Sequence, residues 1–164
     1  MLDDPITYGL LAALAIALLV AAYTDIKSRR IANWLNLAIA LGAPVFWIAR
    51  GYAFWPDITI QLGLAIGVFA LGSVLFALKQ MGGGDVKLLT ALALWMQPLV
   101  LVKFIVMMAL IGGVLTLFIG ARNVMGRRKK KPWAVPYGVA ISAAGLWVIG
   151  TIFLPASAIA AAAQ

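Results

Sequence analysis

Charged residues stand far apart in this chain, and the intervals between them restrict what it can fold into. Between Asp4 and Asp25 lie 20 uncharged residues, between Arg30 and Arg50 there are 19, and between Asp57 and Lys79 there are 21. Lys87 to Lys103 encloses 15, Lys103 to Arg122 encloses 18, and 33 follow Lys131. A helix rising about 1.5 Å per residue crosses a bilayer core in about 20 apolar residues. The expected fold is therefore all-α and polytopic, with about six transmembrane helices in one membrane-embedded domain over 1–164. The fourth is the short one. It is expected to start near Gly84, drawing Asp85 and Lys87 toward the bilayer, with an interruption at Gln97-Pro98. Composition agrees: 11% of residues are charged, where a soluble domain carries about 25%.

Orientation follows from where the cations fall. With six spans, Lys27, Arg29, Arg30, Lys79, Lys87, Arg122 and the run Arg127 to Lys131 share one side, and Arg50 and Lys103 take the other. Eleven against two is a strong positive-inside bias, so both termini are expected outside the cytoplasm. Met1-Leu2-Asp3-Asp4-Pro5 lacks the basic stretch of a signal peptide, so the first span is expected to remain in the mature protein. The net charge of +8 is then a topology signal that also attracts anionic lipid, and no nucleic-acid partner is expected. Trp47, Tyr52, Trp55, Trp133 and Tyr137 fall near helix ends, as an interfacial aromatic belt would place them.

The chain has no Cys and no His, and all five of its acidic residues are Asp. Zinc sites, catalytic thiols and Ser-His-Asp triads are excluded, and neither metal nor cofactor is expected. Asp3, Asp4 and Asp57 map to the outer side. Asp25, closing the first helix, and Asp85, opening the fourth, are the two carboxylates on the cytoplasmic side. Charge at membrane depth costs up to about 2.5–3.5 kcal/mol, so its retention calls for a reason. Each has an ordinary explanation: Asp25 can pair with Arg29 one turn on, and Asp85 can cap a helix N-terminus. What changes the balance is the run Gly82-Gly83-Gly84-Asp85, since consecutive glycines weaken a helix entrance while allowing positive φ and close backbone approach.

Two nearby carboxyl groups in a low-dielectric site share a proton. The ionised one can activate water while the protonated one polarises a peptide carbonyl. That chemistry needs neither metal nor nucleophilic side chain. Lys27 reads as a topology charge. Lys87 reads either as a snorkelling interfacial lysine or as a helper to the pair. Gly63, Gly67 and Gly72 on the third helix fit either a substrate groove or dense helix packing.

These residues resemble a known family. Gly82-Gly83-Gly84-Asp85 fits the GxGD signature of membrane aspartyl proteases, and with Val86-Lys87-Leu88 it resembles the type IV prepilin peptidases, especially the short Flp/Tad-pilus kind. Thr24-Asp25-Ile26-Lys27-Ser28-Arg29-Arg30-Ile31-Ala32-Asn33 is similar to the family's first catalytic segment, with Ala32 where a proline usually precedes the Asn. Pro136-Tyr137-Gly138 resembles a family motif at the start of the last helix. The resemblance implies Asp25 and Asp85 as catalytic residues, Gly82, Gly83 and Gly84 as the supporting loop, and Lys87 as a possible helper. It implies a prepilin or pseudopilin substrate with a basic leader cut before its apolar helix, in the bacterial cytoplasmic membrane. It does not extend to N-methylation, which in longer members goes with a cysteine-containing segment. A proton-coupled carrier and a non-enzymatic pilus scaffold are the competing readings.

Overall fold

The computed structural model describes residues 5–125 and 137–153. Asp3, Asp4, the basic run Arg127 to Lys131, Trp133, Pro136 and the Ala-rich tail lie outside them, as does the side chain of Arg122. Among the described residues the chain is helical without strands, in the order α1 (Pro5–Ser28), α2 (Asn33–Ala49), α3 (Thr59–Ala77), α4 (Gly83–Ala93), α5 (Pro98–Met125) and α6 (Tyr137–Val148). A π-helical turn, Phe54–Ile58, leads into α3, and another, Ile149–Phe153, extends α6. Three stretches are long and apolar enough to cross a bilayer: Pro5–Ser28, Phe54–Ala77 and Pro98–Ala121. Their outward faces carry Ile16, Leu19, Ile66, Leu71, Leu117 and Phe118, all largely exposed. Lipid removes such surface from water as a protein core would, which accounts for a bundle whose own core is thin.

The fourth helix departs from the expected span. It starts at Gly83 but ends after 11 residues, about 16 Å, roughly half of a bilayer core. Lys103 does not sit in a connection beyond it; α5 already starts at Pro98, so Lys103 is an exposed residue of its second turn. The interval from Lys87 to Lys103 is therefore a short helix, a turn and the start of a long helix.

A helix ending inside a bundle leaves carbonyls that water cannot reach, and these must find protein donors. Trp47 of α2 donates its indole N–H to Leu94 O at 2.8 Å. Gln61 of α3, with its amide nitrogen turned inward, donates to Leu94, Met96 and Ala93 at 3.1, 2.9 and 3.3 Å. Trp95 in turn donates to Ile39 O of α2 at 2.9 Å. Trp47 is buried and is no part of an aromatic belt. Trp55 is exposed near the same end.

α4 is the centre of the arrangement, packed against α2, α3 and α6, while α5 lies outside against α6. Of the three glycines expected to matter on α3, Gly72 alone is closely packed: a Cβ there would stand 2.8 Å from Val86 of α4, whereas at Gly63 and Gly67 it would meet open space. Dense packing thus explains Gly72 and leaves the other two unexplained. Along the seam of α1 and α6, a Cβ at Gly145 would meet Leu18 at 2.8 Å and one at Gly138 would meet Asp25 at 2.8 Å. Both pairs are seven residues apart but run in opposite senses. The two helices are therefore antiparallel, and the start of α6 is pressed against the end of α1.

Candidate active site

Asp25 lies in the last turn of α1 and is 5% exposed. Its Oδ2 is buried without a well-aligned hydrogen bond. The nearest donors are the backbone N–H groups of Gly138 and Val139 in the first turn of α6, which no helical carbonyl uses. Glycine at 138 makes this approach possible, since a side chain there would overlap both Asp25 and the Ile31 side chain at 2.9 Å. Arg29, one turn beyond Asp25, lies within electrostatic range of it. It ends α1 in a left-handed conformation, φ 55°, with its N–H bonded to Asp25 O at 2.9 Å.

Asp85 stands in the first turn of α4, three residues after the N-cap Gly82. Its carboxyl group faces the Gly82 N–H, where the reach-back bond of a helix cap would form. The ordinary explanations for both aspartates therefore hold in part, yet they do not account for the two side chains lining the same cavities. Both line a cleft of about 710 Å³ walled by Phe76, Lys79, Met81 and Tyr137. They also line a smaller adjoining cavity of about 310 Å³ that reaches Ile31 and Asn33. They are close enough for the charge on Asp25 to act on Asp85.

The glycines serve by closeness alone. Gly82 has φ −73°, and Gly51 is the glycine with positive φ among the described residues. A Cβ at 82 would come within 2.9 Å of Asp85 Oδ2, at 83 within 3.3 Å of the Phe76 ring, and at 84 within 3.4 Å of Ile31. Asn36 of α2 donates to Gly84 O at 3.3 Å, which ties the glycine turn to α2. Lys87 is turned elsewhere. Its ammonium donates to Asn33 Oδ1 at 2.9 Å, and it does not line either aspartate cavity.

Gly138, Asn36, Ile31 and Tyr137 complete this site, although none was assigned a part in it from the sequence. The Pro-Tyr-Gly resemblance pointed at Gly138 without saying what it touches. Among the described residues no three Asp side chains gather as a metal site would require. The arrangement offers two carboxyl groups around a space large enough for water and a peptide backbone.

Comparison with known proteins accords with this geometry. A family model described as the type IV leader peptidase family matches residues 12–120, a range that holds both aspartates and the glycine turn. Two curated relatives are named "Prepilin leader peptidase/N-methyltransferase". The one from Aeromonas hydrophila is 28% identical over 149 residues, and the one from Aeromonas salmonicida (strain A449) is 30% identical over 149. Each alignment covers 86% of this chain and 49% of the relative, so the chain spans about half the length of the curated relatives it matches. No solved structure matches the chain. With its family model covering most of the chain, and Asp25 and the Gly82–Asp85 turn inside the match, the protein belongs to the type IV leader peptidase family.

Proposed function

We propose that this chain is a membrane aspartic endopeptidase that removes the basic leader from type IV prepilins or pseudopilins of the Flp/Tad kind. The reaction would take place at the cytoplasmic face of the bacterial inner membrane, the side to which the Lys and Arg count assigns both aspartates. The observation that carries the reading is that Asp25 and Asp85, from helices distant in sequence, line one cleft.

The chemistry follows from the pair. One carboxylate takes a proton from a water held between the two, and the water oxygen attacks the peptide carbonyl carbon. The other, protonated carboxyl group donates to the carbonyl oxygen. Collapse of the tetrahedral species breaks the C–N bond as the amine takes up a proton. The pair titrates as a unit, so the roles belong to the dyad. Gly82, Gly83 and Gly84 keep the wall beside Asp85 free of side chains, so a substrate strand can come close.

The test is cleavage of a tagged Flp/Tad-type prepilin in membranes, followed as a size shift, for wild type, Asp25→Asn and Asp85→Asn at matched expression. Cleavage by wild type and its loss in both variants is the expected result. Full activity in either variant contradicts the paired mechanism. A wild type that cuts none of a panel of prepilins moves the assignment to a non-enzymatic pilus scaffold.

A further inference from the structure

α2 and α3 both pack on α4 but scarcely touch each other, so a face of α4 is left uncovered between them. Two cavities occupy this gap. One, of about 470 Å³, runs over Phe76, Gly83 and Gly84 to Phe69 and Lys87. The other, of about 480 Å³, continues from Phe69 and Lys87 along Leu37, Ala40 and Thr90. The first shares Phe76 with the aspartate cleft and Gly83 and Gly84 with its smaller neighbour. Together they form one path from the two aspartates, past the glycine turn, to a lateral groove whose floor is α4.

The lining of that groove differs from an ordinary lipid-facing surface. Its walls are mostly apolar, but it begins at the hydrogen-bonded pair Lys87–Asn33 and includes Asn36, which is 5% exposed. Asn36 gives its amide nitrogen to Gly84 O and keeps a buried Oδ1 with no donor. Acyl chains offer no donor to such an acceptor, whereas an extended peptide carries unpaired backbone N–H groups. A peptide is held extended where it is cut and can turn helical beyond that point.

We infer that the groove between α2 and α3 is the docking site for the apolar transmembrane segment of the substrate, entered sideways from the bilayer. Asn36 would receive a backbone N–H of the extended stretch between that helix and the scissile bond. The inference rests on the peptidase reading above. It commits the apolar segment to the face of α4 and leaves the outer face of α5 to lipid.

A photo-crosslinking amino acid placed singly at Leu37, Phe69 or Leu117 tests this in membranes that also contain an epitope-tagged prepilin. Asp25→Asn is included in the crosslinking chains so that substrate is not consumed. Leu37 and Phe69 are exposed in the groove, and Leu117 is exposed on α5. The expected result is a prepilin adduct from positions 37 and 69 and little from 117. In the otherwise wild-type chain, Ala40→Phe should raise KM for the membrane-anchored prepilin about tenfold by filling the groove. Adducts from 37 and 69 no stronger than from 117, or lipid adducts alone, overturn the docking site if the wild-type chain cuts the same prepilin. If the wild-type chain does not cut it, the peptidase reading itself has failed, and that result is read separately on the gel.

Discussion

At its C-terminal end, α4 stops with its carbonyls answered: Ala93, Leu94 and Met96 accept from Gln61, and Leu94 also accepts from Trp47. At its N-terminal end the same helix opens on three glycines and a carboxyl group, faced by a second carboxyl group with a buried oxygen that lacks an aligned donor. The helix that joins the two ends is 11 residues long. Unpaired buried polar groups cost free energy, so the first end is arranged for stability. The second keeps a buried carboxyl oxygen without an aligned donor, as the proposed peptidase site, which would take up water and a peptide, requires. A short helix allows this division, because its C-terminal end lies inside the protein while its N-terminal end opens on the cleft.

Five substitutions probe that division, in order of expected effect. Asp25→Asn or Asp85→Asn is expected to lower the cleavage rate by about 10²–10⁴-fold, the usual worth of a positioned acid or base. Detergent-solubilised thermal unfolding should show no loss of stability, because the amide oxygen of Asn can still face the Gly138 and Val139 N–H groups at position 25 and the Gly82 N–H at position 85, and repulsion between the two carboxyl groups is removed. Gly138→Ala is next. Its new methyl group would stand 2.8 Å from Asp25 Oδ2 and 2.9 Å from Ile31, and displacing a reacting group by about 1 Å costs on the order of 10²-fold. Steady-state kinetics should show the loss in kcat rather than in KM.

The other two substitutions act on the closed end. Gln61→Leu strips Ala93 O and Met96 O of their side-chain donor and is expected to destabilise by about 1–3 kcal/mol. This should appear as a lower Tm with an unchanged cleavage rate per folded molecule. Trp47→Phe is the mildest at about 1 kcal/mol, because Leu94 O still accepts from Gln61. A Tm drop for Gln61→Leu no larger than that for Trp47→Phe would erase the ranking.

How much of this was legible from the sequence depended on whether the physics was local. Asp25 and Asp85 stood out because an isolated charge at membrane depth is costly wherever the chain goes, and charge-free intervals marked the helices for the same reason. The length of α4 was hidden, since nothing between Lys87 and Lys103 separates a short helix and turn from one interrupted span. Lys103 merely looked like a loop. Gln61 is a lone amide in an apolar stretch, without a spacing pattern to show that it faces carbonyls on another helix. Trp47 at a helix end fits an interfacial belt as well as an inward hydrogen bond. Gly138 lies far from Asp25 in sequence, and only the antiparallel seam of α1 and α6 brings them together. The buried hydroxyls of Thr7 and Ser142, left without partners, have no account in either the sequence or the fold.

The division of labour along α4 is tested most directly by measuring cleavage rate and Tm on the same preparations of wild type, Asp85→Asn and Gln61→Leu. The account predicts that Asp85→Asn keeps its Tm and stops cutting. Gln61→Leu should lose several degrees of Tm, yet its folded fraction should cut at the wild-type rate. An Asp85→Asn protein that still cuts, or a Gln61→Leu protein that keeps its Tm, would contradict it.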